Sequence, residues 1–228
     1  MIEAILAPGV AVAESFAGPA GDSLARTGET LEHDLFPEEC RAIADAVPSR
    51  RAEFALGRHC ARQALAALGA PRQPILPGPT REPLWPPGFV GSITHCSGYC
   101  AAAVGRSDEF RTVGIDAEPD EPLPPGVLDE IALPGEADEI AASREGNPDR
   151  RLFCAKEAVY KAWFPVARRW LGFEEASIAF AAGGTFQATI LVSGPVASMT
   201  GRWVIRDGLI VAAIAEPIGR PASTAPST

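Results

Sequence analysis

The sequence predicts an α+β protein built from two similar halves. Each half contains one strongly amphipathic helix, several short strands accompany these helices, and glycine-containing turns follow the second one. The order of elements is helix, strands, strand, helix and hairpins. This order predicts two pseudo-equivalent subdomains that meet near residues 105–112, with boundaries at 1–108 and 109–216. The composition of residues 217–228 predicts a disordered tail.

The first half contains the clearest helix of the chain, "PSRRAEFALGRHCARQALAALG". Its apolar residues recur every four positions, Ser49 is a candidate N-cap, and Gly69 is a candidate stop. A shorter helix is expected at Pro37, since two glutamates follow it in the first turn. The segment "APRQPILPGPTREPLWPPG" is too rich in proline and glycine for more than a short strand at residues 74–76.

The strands and the second helix follow in order. "VGSITHCSGYCAAAVG" predicts two strands joined by a turn at residues 97–98, and "RTVGIDAE" predicts a third. "PPGVLDEIALPGEADEIAAS" is typical of a broken helix, and "NPDRRLFCAKEAVYKAWF" predicts a strong helix that ends at Pro165. Turns at residues 183–184 and 207–208 predict two final hairpins.

Composition excludes several classes of protein. The formal charge of −9 argues against general nucleic-acid binding, which needs a basic surface. No apolar run approaches the roughly 20 residues of a membrane span. The N-terminal segment carries Glu3 and lacks a basic region, so a signal peptide is not expected. The five cysteines form no Cys-x-x-Cys pair, which favours free thiols in a reducing cytoplasm.

Acidic and basic side chains at two places predict a metal and phosphate site. Asp116 and Glu118 lie two residues apart in a strand and share a face. Glu157 and Lys161 share a helix face at i and i+4, and Lys156 is turned from Glu157 by about 100°. Three carboxylates suit Mg²⁺, with Mn²⁺ as a second candidate. The only two lysines of the chain, Lys156 and Lys161, lie on either side of the candidate metal ligand Glu157 in the sequence.

Other features are ambiguous from the residues alone. Arg51, Arg58 and Arg62 lie close to one helix face, which is typical of a solvated basic stripe but also of a phosphate site. His95 fits a hydrogen-bonded structural histidine or a functional one. The carboxylates themselves fit ordinary turns, caps and surface ion pairs.

"VGIDAE", followed some forty residues later by "FCAKEAVYK", resembles the signature pair of the 4′-phosphopantetheinyl transferases. "GRHCARQAL", "PILPG" and "GSITHCSGY" resemble the Sfp-like, enterobactin-synthetase-associated, broad-range branch with its actinobacterial members. These ordered motifs run from about Arg50 to Leu171. The resemblance implies the family's fold, with the active site in the cleft between two pseudo-twofold-related subdomains of one monomeric chain.

The resemblance also implies the reaction. Family members transfer the 4′-phosphopantetheine arm of coenzyme A to a serine of an apo acyl or peptidyl carrier protein and release 3′,5′-ADP. By similarity, Asp116, Glu118 and Glu157 would hold Mg²⁺, and Glu157 or a metal-bound water would take the serine proton. Lys161 would stabilise the departing phosphate, or both stabilise and protonate it, and Lys156 would contact phosphate from the same helix.

Coenzyme A is expected to contact a further set of residues. The positions that the resemblance and local charge assign to it are Arg51, Arg58, Arg81, Thr94, His95, Lys156 and Lys161. Relatives often carry lysine where this chain has Pro77, and Arg81 is the candidate replacement. Tyr160, Trp163 and Trp170 are candidates for the wall of a pantetheine channel.

Carrier proteins are acidic, so docking needs local basic surface. The candidates near the signature helix are Arg150, Arg151, Arg168 and Arg169. Whether the carriers serve fatty-acid, polyketide or nonribosomal peptide synthesis is left open. Two other functions would use the same residues: a Mg²⁺-dependent phosphohydrolase, and a non-catalytic module that binds carrier proteins or coenzyme A.

Overall fold

A computed structural model describes residues 1–16, 24–143 and 145–219, without the side chains of residues 24–26. The helices of this part are α1 Leu24–Leu31, α2 Pro37–Ala42, α3 Pro48–Ala67, α4 Val127–Ile131, α5 Pro134–Ala142 and α6 Pro148–Ala167. The strands are β1 Ala11–Phe16, β2 Phe89–Cys96, β3 Tyr99–Arg106, β4 Phe110–Pro119, β5 Ala176–Ala181, β6 Thr185–Ile190, β7 Ser198–Arg206 and β8 Leu209–Pro217. In these residues no helix is long and apolar enough to cross a membrane.

The strands form two antiparallel sheets, which confirms the α+β class. The first sheet has the order β1-β3-β2 and the second the order β4-β8-β7-β6-β5. Helix α3 packs on the first sheet and α6 on the second. A third apolar cluster joins β3 to β4 and β8, so β3 is buried on both faces. The predicted boundary between residues 108 and 109 falls in the turn that connects the sheets.

The two halves repeat one buried polar arrangement, which supports their pseudo-twofold relation. Glu39 in α2 accepts the backbone N–H of Phe36 at 2.9 Å and of Ile75 at 2.9 Å, and Arg62 of α3 donates to it at 3.0 Å. Glu136 in α5 makes the equivalent contacts in the second half, with the backbone N–H groups of Leu133 and Ile178 and with Lys156 of α6. Each glutamate therefore caps a short helix and ties it to the long helix and to a more distant segment of the same half.

The strand β4 carries two different faces. Its residues Val113, Ile115 and Ala117 enter the cluster between the sheets. The alternate residues Gly114 and Asp116 face the other way, toward α6, as the period of two requires. Asp116 and Glu118, which were predicted to share a face, therefore lie on the face of β4 that is turned toward α6.

Local differences from the predicted elements have simple causes. Helix α3 begins with Pro48 at its first position and Val47 as N-cap, so Ser49 is inside the helix. Helix α6 continues through Pro165 and ends where Arg168 adopts φ 51°. Pro165 lies in the last turn of the helix, where it removes a single hydrogen bond, and the left-handed Arg168 ends the helix.

The loops also differ in part from the expectations. The predicted strand at residues 74–76 is absent from the described structure, which has an isolated bridge between Pro77 and Pro83 there. Strand β1 has no predicted counterpart. The hairpin at residues 207–208 is confirmed, with φ 53° at Asp207 and 75° at Gly208, as a type I′ turn requires.

The tail prediction is corrected at its beginning. Pro217 is the last residue of β8, and the Ile218 N–H donates to the Glu109 carbonyl at 2.8 Å. Residues 220–228, which make up most of the predicted tail, lie outside the described residues.

Candidate active site

The glycine of "VGIDAE" allows α6 to lie directly on β4. A Cβ atom added at Gly114 would lie 2.6 Å from the Ala162 backbone nitrogen, and closer still to the Ala158 carbonyl oxygen. Thr112 adds a hydrogen bond from its hydroxyl to the Ala162 carbonyl at 2.8 Å. This close approach brings α6 against the face of β4 that carries Asp116.

The Asp116 carboxylate has two unlike oxygens. Oδ1 accepts hydrogen bonds from Lys161 Nζ at 2.6 Å and from Thr94 Oγ1 at 3.2 Å. Oδ2 is buried and has no hydrogen-bond partner in the described part of the chain. The strand and the helix that were predicted to form one metal and phosphate site therefore meet directly, through the contact between Asp116 and Lys161. One oxygen of the same carboxylate is left to bind something else.

The other two predicted metal ligands lie close enough to Asp116 for its charge to act on them. Burial raises the pKa of Glu157, and the neighbouring Asp116 carboxylate raises it further against the opposing effect of Lys161. Burial and Asp116 also raise the pKa of Glu118, which pairs with Arg150 at 2.9 Å. Three carboxylates that disfavour one another's charge form an environment that a cation would stabilise.

This set fits a hard divalent cation by its chemistry. Within residues 1–16, 24–143 and 145–219, no group of three or more His, Cys, Asp or Glu side chains is arranged to hold a metal ion. Asp116 Oδ2 is nevertheless a buried oxygen without a partner, and Glu118 and Glu157 offer further carboxylate oxygens nearby. Oxygen ligands of this kind are those that Mg²⁺ prefers.

Lys161 remains positively charged in this setting. Burial acts to lower the pKa of Lys161, but the adjacent Asp116 carboxylate outweighs it and raises the pKa above its ordinary value. A raised pKa keeps the ammonium protonated, which suits stabilisation of negative charge better than donation of a proton.

The structure contradicts the predicted phosphate contact of Lys156. Its ammonium bonds the Phe173 carbonyl at 2.7 Å and the Ala176 carbonyl at 3.0 Å, and it pairs with Glu136 at 2.8 Å. Lys156 is only 3% exposed, and these three partners use its three donors. It therefore faces away from Asp116 and anchors α6 to α5 and β5, because Lys156 lies about 140° around the helix from Lys161, which contacts Asp116.

The residues predicted to bind the nucleotide do not all lie together. Arg50, which the sequence analysis did not single out, donates to His95 Nε2 at 3.2 Å and pairs with Glu53 at 3.1 Å. Arg51 donates to Glu32 at 2.6 Å. The sequence could have indicated Arg50 as a candidate, because it directly precedes Arg51, which was predicted to contact coenzyme A.

Two further residues that were predicted to bind coenzyme A, Arg58 and Thr94, are buried. Arg58 donates from Nε to the Ile75 carbonyl at 2.6 Å and lies over the Phe54 ring, and burial lowers its pKa to about 10. The structure thus gives Arg58 a role in holding the loop after α3. The Thr94 hydroxyl is already bonded to Asp116 and to the Ala117 backbone and is buried, so it is not free to contact the nucleotide.

A cavity of about 420 Å³ lies between β2, β4 and the C-terminal part of α6. Lys161 and Arg81 line it, and its apolar walls include Trp85, Phe89 and Phe164. Because it is assembled from four separate segments, periodicity within any one of them could not have revealed it.

Only one of the three aromatic residues predicted to wall a pantetheine channel lines this cavity. Tyr160 does so, and its ring lies 4.6 Å from that of Trp170. Trp170 is 67% exposed, and Trp163 is fully buried in the core, where its indole N–H donates to the Arg169 carbonyl at 3.1 Å.

Two of the four arginines predicted to dock a carrier are committed elsewhere. Arg150 bonds Glu118 and two backbone carbonyls, and Arg151 is buried over the rings of Phe180 and Trp203. Arg168 and Arg169 keep exposed side chains, which form surface ion pairs with Glu82 and Glu175.

Two protein-family models match the chain. The sequence model of the 4′-phosphopantetheinyl transferase N-terminal domain matches residues 38–105, and that of the 4′-phosphopantetheinyl transferase superfamily matches residues 112–213. The second match contains Asp116, Glu118, Glu157 and Lys161.

Three similar proteins carry the same description. The 4′-phosphopantetheinyl transferase PptT of Mycobacterium tuberculosis is 51% identical over 78% of this chain and 84% of its own length. Npt of Nocardia iowensis is 47% identical over 94% and 99%. Svp of Streptomyces mobaraensis is 48% identical over 84% and 81%. These relatives do not support the alternative functions, a phosphohydrolase or a non-catalytic binding module. The chain belongs to the actinobacterial-like branch of the 4′-phosphopantetheinyl transferases and is an enzyme that transfers the phosphopantetheine moiety of coenzyme A to carrier proteins.

Proposed function

We propose that Asp116, Glu118 and Glu157 bind a divalent cation, Mg²⁺ or Mn²⁺, against the pyrophosphate of coenzyme A. The observation that carries this proposal is the buried, unpartnered Oδ2 of Asp116 next to two carboxyl groups whose pKa values are raised. When bound, the cation supplies neutralisation of the phosphate charge. Phosphoryl transfer depends mainly on such positioning and charge neutralisation.

The side chains of α6 would divide the remaining work. Glu157, or a water held by the cation, would take the proton of the carrier serine hydroxyl. Lys161, held by Asp116 at 2.6 Å, places a permanent positive charge beside the pyrophosphate as 3′,5′-ADP leaves.

Coenzyme A would span the seam between the two halves. Its nucleotide would lie near Arg50 of α3 and His95 of β2, which contact each other, and Arg51, which pairs with Glu32, follows Arg50 along α3. The pantetheine arm would enter the cavity beyond Lys161, whose aromatic walls and volume of about 420 Å³ suit a flexible, largely apolar chain. Arg81, which lines this cavity, remains the candidate replacement for a lysine at position 77.

The acceptor would approach beside the end of α6. Arg168 and Arg169 are the exposed basic residues that remain for an acidic carrier protein. We propose the cytoplasm as the site of action, because the five cysteines are free thiols, which a reducing compartment favours. The type of carrier is left to experiment.

Intact-mass spectrometry of an apo carrier protein tests this function. The carrier is incubated with coenzyme A, Mg²⁺ and the enzyme, and it is expected to gain the mass of one phosphopantetheine group. Matched reactions omit the enzyme or replace Mg²⁺ by EDTA, and neither should yield holo-carrier. Release of 3′,5′-ADP without a carrier would instead indicate hydrolysis, and no mass gain on fatty-acid, polyketide or peptide carriers would contradict the proposal.

Replacement of Lys161 by arginine is expected to lower kcat by about 10²-fold, the usual effect of losing one well-placed transition-state contact. Arginine keeps the charge, but its planar guanidinium cannot occupy the position of a compact ammonium 2.6 Å from Asp116 Oδ1. Turnover of carrier protein measures the loss, and thermal denaturation checks the fold. Full activity in this variant would show that any cation suffices at this position.

A further inference from the structure

Strands β2 and β4 meet at the seam between the two sheets through side chains. They belong to different sheets, and the described strands form no backbone ladder between them. Instead, Ser92 Oγ accepts the Ile115 N–H at 3.1 Å, and Thr94 Oγ1 accepts the Ala117 N–H at 3.1 Å. These two backbone groups lie on either side of Asp116. Hydroxyl groups of the first half thus hold the strand that carries a predicted metal ligand of the second.

Thr94 makes one contact that Ser92 lacks. A hydroxyl has one hydrogen to donate and two lone pairs to accept with. Thr94 accepts from Ala117 and donates its hydrogen to Asp116 Oδ1 at 3.2 Å. Thr94 is 2% exposed, so solvent does not compete for this hydroxyl.

With the Thr94 hydrogen bond, both donors to the Asp116 carboxylate lie on the same oxygen. Thr94 and Lys161 both donate to Oδ1, from the strand side and from the helix side respectively. Oδ2 receives nothing from the described residues, although it is buried. Two donors on one oxygen fix the rotation of the carboxylate and so keep Oδ2 as the oxygen that is free to bind a cation.

We infer that Thr94 is a positioning residue for the metal site: it holds Asp116 Oδ1 and thereby presents Oδ2 to the divalent cation. This inference rests on the proposed role of Asp116 as a metal ligand. It replaces the predicted contact of Thr94 with the nucleotide. A threonine suits the task, since its branched side chain has few rotamers and its hydroxyl direction is therefore well defined.

Valine and serine at position 94 separate the hydroxyl from the shape of the side chain. Thr94→Val keeps the shape and loses the hydroxyl, whereas Thr94→Ser keeps the hydroxyl. Ser92→Ala is the matched control, because it removes a hydroxyl–amide bond to the same strand at the same distance without touching Asp116. Thr94→Ala takes the place of the valine variant if that protein does not fold.

Mn²⁺ is the probe, and its binding is measured by the loss of the free-ion electron paramagnetic resonance signal, without coenzyme A or carrier protein. Thr94→Val is expected to weaken Mn²⁺ binding by about tenfold, the lower end of the effect of removing a group that orients a metal ligand. Thr94→Ser should restore wild-type affinity. Ser92→Ala should lower the melting temperature to a similar extent as Thr94→Val and leave Mn²⁺ affinity unchanged.

The outcomes separate this inference from the proposed function. If the wild type forms holo-carrier and binds Mn²⁺, but the valine and alanine variants bind it equally well, the positioning role is wrong and the function stands. An equal loss of affinity in Ser92→Ala would also overturn it, since the effect would then come from the strand and not from the carboxylate. If the wild type neither forms holo-carrier nor binds Mn²⁺, the proposed function fails and this inference fails with it.

Discussion

Glu157→Gln is expected to lower the rate of phosphopantetheine transfer by about 10²- to 10⁴-fold, the range associated with loss of a general base. The amide cannot accept the serine proton, and it is a weaker ligand for a hard cation. The folded protein should nevertheless keep its stability or gain some. Burial and the nearby Asp116 raise the pKa of Glu157, so at neutral pH, without divalent cation, its ionised form is disfavoured in the folded state.

Intact-mass spectrometry gives the rate for this variant, and denaturation by urea in EDTA gives its stability. Glu109→Gln is a suitable control, because Glu109 is exposed at the turn before β4, at the opposite end of that strand from Asp116. A joint loss of activity and stability in Glu157→Gln would contradict the assignment, since it would indicate a structural role. Wild-type turnover would exclude Glu157 as the base.

Lys156→Met, one position earlier, is expected to show the opposite result: a loss of about 3 kcal/mol in the free energy of unfolding with little change in the KM for coenzyme A. Removing the ammonium leaves Glu136, which is 4% exposed, as a buried carboxylate without its cation. It also leaves the carbonyls of Phe173 and Ala176 without a donor. The backbone N–H groups of Leu133 and Ile178 still bond Glu136 and limit the loss.

Urea denaturation measures this change, and steady-state kinetics on the folded fraction measure KM. The double variant Lys156→Met with Glu136→Met is the matched test, because an apolar pair of similar volume should recover much of the lost stability. A large increase in KM at unchanged stability would instead support the phosphate contact that the family resemblance implied.

These two neighbours show where reasoning from the sequence reaches its limit. Both belong to the signature "FCAKEAVYK", and the helical period separates their directions by about 100°. The period does not say which direction faces the cleft. That choice depends on Gly114, which lets one face of α6 lie on β4, and on Glu136, twenty residues earlier, which receives Lys156 on the other side.

The assignment of Thr94 was limited in a similar way. The motif "GSITHCSGY" places Thr94 beside His95, and adjacent strand residues point to opposite faces. His95 is exposed near Arg50, while Thr94 is buried against Asp116. Adjacency in the sequence therefore suggested a common ligand for two side chains that the strand sends in different directions.

The sequence by itself determined the local features that have a fixed period or a strict backbone requirement. These are the two long helices, the hairpin at Asp207, the shared face of Asp116 and Glu118, and the i, i+4 relation of Glu157 to Lys161. Only the tertiary structure decided which of these faces meet. The cavity, the bond from Thr94 to Asp116 and the burial of Lys156 join residues from distant segments, and such contacts depend on how helices and sheets pack and not on any repeat within them.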